Sequence, residues 1–474
     1  MGEEKILEGS EAVESTGSEN TTALITEQEK SENTQEQQSS SQHSGSHHHH
    51  HHHHHHGSSR RHRSHRRRSR IYKFFNRIRR MFKKLNRKNR ISLICALALA
   101  FVLVFSVSLD LVQHILYTQA EKEAASNDNN KGNAGSVLKV ELLNPSGVLI
   151  TDAVNRYLSI DLLSEHNKTV LLSNFAQSGD RYDVQNSVSL KISTTRTLAS
   201  AYKIEIADNS QFKNAKVDYL DGSDGTYSFS NLYANTKYYY RVTAYTSSGV
   251  VSETGWFNTA DTPRILTVDG INNVRDIGNW PTDSGKRIKQ GLLIRGTEID
   301  GAVERNYHLT YDGMTEMLEN LGIKFDMDLR GESETPLGRD ALGSRVTHKY
   351  YGMTMYADIF NDYSKGVIKN VFSDLANPDN YPIYIHCTYG RDRTGTVCYL
   401  LEALLGVSRG DCLKEYGLSN LTVESIREVE EGLREYGAEK TLKEQVELYL
   451  ISCGVTMTEI DTIREIFLGE ADET

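Results

Sequence analysis

Five cysteines in 474 residues are too few for a disulfide-built scaffold, so two or three domains with apolar cores are expected at this length. Apolar side chains are scarce in residues 1–59, where Ser, Glu, Gln, Thr and Asn dominate. Nothing there offsets the entropy of ordering, and the segment reads as disordered and of low complexity. It carries ten consecutive histidines at 47–56, whose internal position argues against an ordinary terminal tag although Gly57-Ser58-Ser59 follows; no function is assigned to them. Carboxylates are missing from residues 60–90, from Arg60 to Arg90, which hold sixteen Lys or Arg, so the net charge of −9 conceals a basic block in an acidic chain. Charge of either sign is missing from residues 91–109, Ile91 to Leu109. As a helix that run is about 28 Å long against a bilayer core of roughly 30 Å, which predicts one transmembrane helix. A cleaved signal peptide fits less well, because Asp110-Leu-Val-Gln offers no small-x-small cleavage site.

The basic block orients the span by the positive-inside rule, with the N-terminus cytoplasmic and everything after residue 110 extracytoplasmic. Within the block Ile71, Phe74, Phe75, Ile78, Met81, Phe82 and Leu85 recur at helical spacing, which suits a helix lying on an anionic membrane surface. No nucleic-acid reading motif accompanies it, so no nucleic-acid partner is expected. A polar spacer, 110–136, leads to alternating strand patterns at 138–142, 188–192, 202–206, 226–229, 238–244 and 255–259, punctuated by turn residues such as Asp221-Gly-Ser-Asp-Gly225. A β-sandwich over 137–262 is expected, with room for further strands in 137–167. It contains no nucleophile–base pair, and its tyrosines alternate as strand residues do, so its expected role is to position the domain C-terminal to it.

Chemistry is concentrated in Ile383-Tyr-Ile-His386-Cys387-Thr388-Tyr389-Gly390-Arg391-Asp392-Arg393-Thr394-Gly395-Thr396. An apolar β-prone run delivers a cysteine to a tight turn, and 394–405 reads as a helix ended by Gly406. Successive backbone N–H groups of such a turn converge at the positive end of a helix and cradle a dianion. The guanidinium fork of Arg393 can hold two phosphate oxygens, and the same positive field favours the nucleophilic thiolate of Cys387. The loop residues Thr388, Tyr389, Gly390, Arg391, Asp392 and Arg393 are therefore candidates for binding phosphate, and Cys387 for attacking it. Cys398, inside the helix among Val397, Leu400 and Leu401, reads as a small core residue.

This stretch resembles the cysteine-dependent protein-tyrosine phosphatases with the pattern H-C-x5-R-[ST], and within them the bacterial and fungal type whose loop reads H-C-x-x-G-K-D-R-T-G. Ten positions from His386 to Gly395 fit, with Arg391 where that type usually carries Lys. Further matches are Asn273-Val-Arg275-Asp276-Ile-Gly278 to N-F-R-D-[LI]-G, Gly291-Leu-Leu-Ile-Arg295-Gly-Thr297 to G-L-L-[FY]-R-S, Asp328-Leu-Arg330 to D-L-R, and Tyr416-Gly-Leu-Ser419-Asn420 to a helix element. The resemblance implies an α/β domain with a mostly parallel sheet over 263–474. In the other part, Leu232-Tyr-Ala-Asn-Thr-Lys-Tyr238-Tyr-Tyr240-Arg-Val242 and Trp256-Phe-Asn-Thr259 resemble a fibronectin type III domain.

The implied reaction is attack of Cys387 on phosphorus, with Arg393 and loop amides holding the oxygens, then hydrolysis of a phosphocysteine. No metal or cofactor is called for. Thr394 is placed to donate to the departing sulfur and His386 to help set the thiol's acidity. The general acid is either Asp392, which the D-R type implies, or Asp358, twenty-nine residues before the cysteine, where many other tyrosine phosphatases carry theirs; Asp392 is favoured. Asn273, Arg275, Asp276, Asp328 and Arg330 are expected to brace sheet and loop, with Asp328 nearest the substrate. Phosphotyrosine protein ranks first as substrate, a phosphoinositide or inositol phosphate second because Arg391 adds charge to the loop, and a silent phosphate-binding module last. The plan as a whole suggests a bacterial surface enzyme.

Overall fold

The computed structural model describes residues 136–469 apart from Asp224, 336–340 and Met355. The expectations for the segments 1–59, 60–90 and 91–109, and for the spacer up to residue 135, therefore lie outside the described residues. Among the described residues no helix is long and apolar enough to cross a membrane.

The first seven strands are β1 (Val137–Leu142), β2 (Val188–Thr195), β3 (Ala199–Ala207), β4 (Lys216–Asp221), β5 (Gly225–Phe229), β6 (Lys237–Thr246) and β7 (Gly249–Asn258). They pair antiparallel as two sheets, ordered β1-β2-β5 and β4-β3-β6-β7. Period-two alternation explains the layering: Val188, Leu190 and Ile192 of one sheet and Tyr238, Tyr240, Val242 and Ala244 of the other are buried in one shared core with Phe257. Tyr238 turns its hydroxyl back to accept the Tyr233 amide at 2.9 Å, so that tyrosine fixes a corner as well as filling core.

Between β1 and β2 the sequence left room for strands, but the chain forms a helix there. In α1 (Asp152–Leu158) Thr151 caps the N-terminus by accepting from the Val154 amide, and Ala153, Val154 and Tyr157 fall on one buried face. That face packs with Leu162 and Leu172 into the apolar core of the following domain rather than between the two sheets. Gly417 lies against it so closely that a Cβ there would come within 1.7 Å of the Tyr157 hydroxyl.

The second domain is built on six strands, β8 (Arg264–Ile265), β9 (Arg275–Asp276), β10 (Leu293–Gly296), β11 (Phe325–Asp328), β12 (Thr347–Tyr350) and β13 (Ile383–His386), in the order β12-β11-β13-β10-β9-β8. The four strands from β12 to β10 run parallel, and β9 and β8 add antiparallel at one edge. Its helices are α2 (Tyr311–Thr315), α3 (Asp362–Leu375), α4 (Asp392–Leu404), α5 (Arg409–Gly417), α6 (Arg427–Arg434), α7 (Leu442–Ser452) and α8 (Met457–Leu468). Apolar surface on both sheet faces is covered, as parallel strands require. Ile383 and Ile385 of β13 point into the core shared with α3 to α8, whereas Tyr384 between them points into the opposite core with Met317 and Leu321.

Arg264 joins the two domains. It pairs with Asp276 at 2.8 Å and donates to the carbonyls of Asn231 and Leu232, while its guanidinium lies 3.9 Å from the Tyr233 ring centroid.

Candidate active site

β13 lies between two parallel neighbours, and Cys387 follows at its carboxyl end, where ligands gather in open α/β sheets. The chain then turns through 388–391 into α4. Gly390 makes that turn possible, since its φ is +62° and a Cβ would fall 2.1 Å from the Gly296 carbonyl. Arg391 precedes the helix without a side-chain cap, and the backbone amides of 388–394 find no acceptor among the described residues. A row of free donors at a helix N-terminus is an anion site. Cys387 is 3% exposed at its edge.

Arg393 is held by a residue that the sequence analysis did not single out. Its two terminal nitrogens donate to the two oxygens of Glu334 at 2.6 and 2.8 Å, a fork-to-fork pair. Glu334 also accepts from the Gly331 amide at 3.0 Å and the Thr388 hydroxyl at 3.2 Å. The Arg393 hydrogen bonds hold the Glu334 carboxyl below its ordinary range. The signal available in the sequence was slight: an acidic residue four positions after Arg330.

The hydroxyl of Thr394 is fully buried and has no hydrogen-bond partner among the described residues. His386 is fully buried; its Nδ1 lies 3.1 Å from the Cys387 carbonyl. Its Nε2 approaches Asp326 Oδ1 at 3.0 Å, off the direction of a good hydrogen bond, so the contact is mainly charge to charge. Burial works against the imidazolium, but Asp328 and Asp326 prevail and raise the ring to about 9.

The two candidate acids differ in setting. Asp392 opens α4, and its carboxylate accepts the hydroxyl of Tyr356, a residue held at φ +51° and a second one that sequence reasoning missed. Asp358 is exposed two residues beyond Tyr356, and its side chain makes no hydrogen bond among the described residues.

Bracing is extensive. Asn273 donates to the carbonyls of Tyr389 and Gly390 at 3.2 and 3.1 Å. Arg275 and Arg295 share Glu415, each at 2.6 Å, and Arg295 also donates to the Gly390 carbonyl at 2.8 Å. Burial alone would raise the Glu415 carboxyl, but the two guanidinium groups hold it below its ordinary range. Arg330, 1% exposed, is ringed by Asp328, Glu298 and Asp300. The Glu298 amide in turn donates to the Thr388 carbonyl at 3.0 Å.

Asp328, expected nearest the substrate, is fully buried in the Arg330 ring; burial opposes its ionisation, yet His386, His348 and Arg330 keep its carboxyl well below the ordinary range. Asp276 braces the sheet by accepting the Gly278 and Gly291 amides, and through Arg264 it braces the domain junction as well. Arg391 turns to the Asn420 carbonyl at 3.0 Å. Cys398, Cys412 and Cys453 are buried free thiols, and burial pushes Cys398 up to about 12, as suits a core residue.

Residues 266–468 match the model of the tyrosine phosphatase family. The chain is 28% identical over 181 residues to a tyrosine-protein phosphatase of Cupriavidus necator, covering 33% of this chain and 63% of the relative. It is 30% identical over 129 residues to a tyrosine-protein phosphatase of Nostoc commune, covering 23% and 44%. It thus spans about half the length of these curated relatives. Among solved structures it is similar to the core catalytic domain of the PP-IP phosphatase SIW14 from S. cerevisiae, at 16% identity over 36% of this chain and 86% of that one, with a TM-score of 0.21. The likeness to tyrosine phosphatases thus falls on residues 266–468, the part of the chain that carries the cysteine loop.

Proposed function

We propose that residues 263–474 hydrolyse phosphate monoesters, with phosphotyrosine in protein as substrate. The observation that carries this reading is the run of amides at 388–394, unpaired among the described residues, around a cysteine at a sheet's carboxyl edge, closed by Arg393 in the grip of Glu334. The Cys387 thiolate attacks phosphorus in line while the loop amides and Arg393 hold the equatorial oxygens. The phosphorus–oxygen bond breaks, and Asp392 gives its proton to the departing phenoxide. Water then attacks the phosphocysteine, Asp392 takes the water's proton, and the sulfur leaves as thiolate, steadied by the Thr394 hydroxyl.

A second reading, hydrolysis of a phosphoinositide or inositol phosphate, is favoured by one feature, the extra guanidinium of Arg391 beside the loop. The deciding measurement is phosphate release by the full chain from a phosphotyrosyl peptide, a phosphoinositide and inositol hexakisphosphate, beside Cys387→Ser. Peptide turnover that Cys387→Ser abolishes supports the first reading, and preference for the inositol compounds replaces it with the second. Absence of any turnover under reducing conditions leaves a phosphate-binding module.

The first domain, of fibronectin type III character, positions the enzyme, and residues 91–109 anchor it in a membrane with the enzyme outside. Digestion of the enzyme by external protease in intact cells is the expected result, and protection overturns that orientation.

A further inference from the structure

The segment between α1 and β2 does more than fill core. Its residues 180–183 line a cavity of about 480 Å³ together with Tyr389 and Arg391 of the cysteine loop. The segment is tied down there. Arg181 forks onto Asp183 at 3.1 Å and donates to Asn272 at 3.1 Å, and Asp183 accepts the Asn273 amide at 3.3 Å. Asn273 is the residue whose side chain holds the Tyr389 and Gly390 carbonyls, so segment and loop are positioned by one residue. Farther back, the Ser173 amide donates to Asn420, next to where Arg391 is bound.

We propose that this cavity is a recognition pocket for the peptide flanking a phosphotyrosine, with the first domain's segment supplying specificity to the second domain's chemistry. The proposal rests on the phosphatase reading and deepens it. Its volume is in the range of ligand pockets. Its lining charges balance, with the cations Arg181 and Arg391 against the anions Asp180 and Asp183. An inositol polyphosphate brings many negative charges and needs cations in excess, so a balanced pocket disfavours it. Tyr182, Tyr307 and Tyr389 add rings and phenol groups, which suit the mixed apolar and hydrogen-bonding surface of a peptide. Tyr389 meets Tyr307 in a T-shaped pair at 6.0 Å and is 46% exposed, so much of it stays accessible to a ligand.

The test compares the full chain with Arg181→Ala and Tyr182→Phe, mild changes at residues outside the cysteine loop. For a small aryl phosphate kcat/KM should stay within about twofold, while for a phosphotyrosyl peptide it should fall about tenfold, through KM. Equal losses on both substrates would show a merely structural role and overturn the proposal, as would no loss on either, or a larger loss on inositol hexakisphosphate than on peptide. Calorimetric binding of the same peptide to Cys387→Ser, with and without Arg181→Ala, separates this proposal from the catalytic one. Peptide binding that Arg181→Ala weakens, in a chain whose native form turns nothing over, refutes hydrolysis and keeps the pocket; binding indifferent to Arg181→Ala refutes the pocket.

Discussion

Replacing Glu334 by Ala should cost activity far more than stability. Arg393 is largely shielded and its two terminal nitrogens both end on Glu334, which is itself fixed by the Gly331 amide and the Thr388 hydroxyl. Hydrogen bonds to charged groups contribute about 1.5–3 kcal/mol each. Losing the pair frees a long side chain whose orientation the transition state requires, and a loss of about 2–3 kcal/mol of that orientation corresponds to roughly 30- to 150-fold in kcat. Glu334→Gln, which keeps one acceptor oxygen, should fall between the wild type and Glu334→Ala. The assay is steady-state turnover of an aryl phosphate, with thermal unfolding beside it. pH gives a second check. The Glu334 carboxyl is held below its ordinary range by Arg393, so the pair is intact above the ordinary carboxylate value and is lost as pH falls through the lower, folded-state value. Between pH 5 and 7 the wild type should therefore show no inflection from this group. An unchanged kcat in Glu334→Ala would refute the positioning argument, and an increased one would show that Glu334 competes with phosphate for Arg393.

Asp392→Asn should lower kcat on an alkyl or ordinary aryl phosphate by about 10²- to 10⁴-fold and spare an aryl phosphate with a good leaving group, whereas Asp358→Asn should do neither; the reverse pattern transfers the acid role to Asp358. His386 is raised from 6.5 to about 9, so its share of folding stability, on the order of 3 kcal/mol, is present below pH 6.5 and lost as pH rises through 9. Chemical denaturation of wild type and His386→Asn across pH 6–10 should converge at the alkaline end. Gly417→Ala should destabilise by about 1–3 kcal/mol because the added Cβ meets the Tyr157 hydroxyl, and Tyr157→Phe should restore part of the loss; no effect would mean that α1 does not pack there.

Locality decides how much the sequence makes legible. The passage from β13 through the loop into α4 is written in adjacent residues: a β-prone run, a glycine where φ must be positive, and a helix pattern ended by Gly406 at φ +87°. The strands of the first domain likewise announce themselves by alternation, except β4, whose Lys216–Asp221 run is mostly exposed and so lacks an apolar face to read. Contact across distance is not legible. Glu334 reaches Arg393 over 59 positions, Glu415 reaches Arg275 over 140, and Tyr356 reaches Asp392 over 36, with no local periodicity to betray any of them. The segment containing α1 is the strongest case. Its apolar residues fit a strand or a helix equally well until the core that accepts Tyr157 is known, and that core belongs to α4, α5 and their neighbours more than two hundred residues later. The same placement sets Arg181 and Tyr182 beside the cysteine loop. A first domain that only positioned the enzyme would have no reason to line a cavity at its catalytic edge, so the division of labour between the two domains is itself what the Arg181 and Tyr182 variants examine.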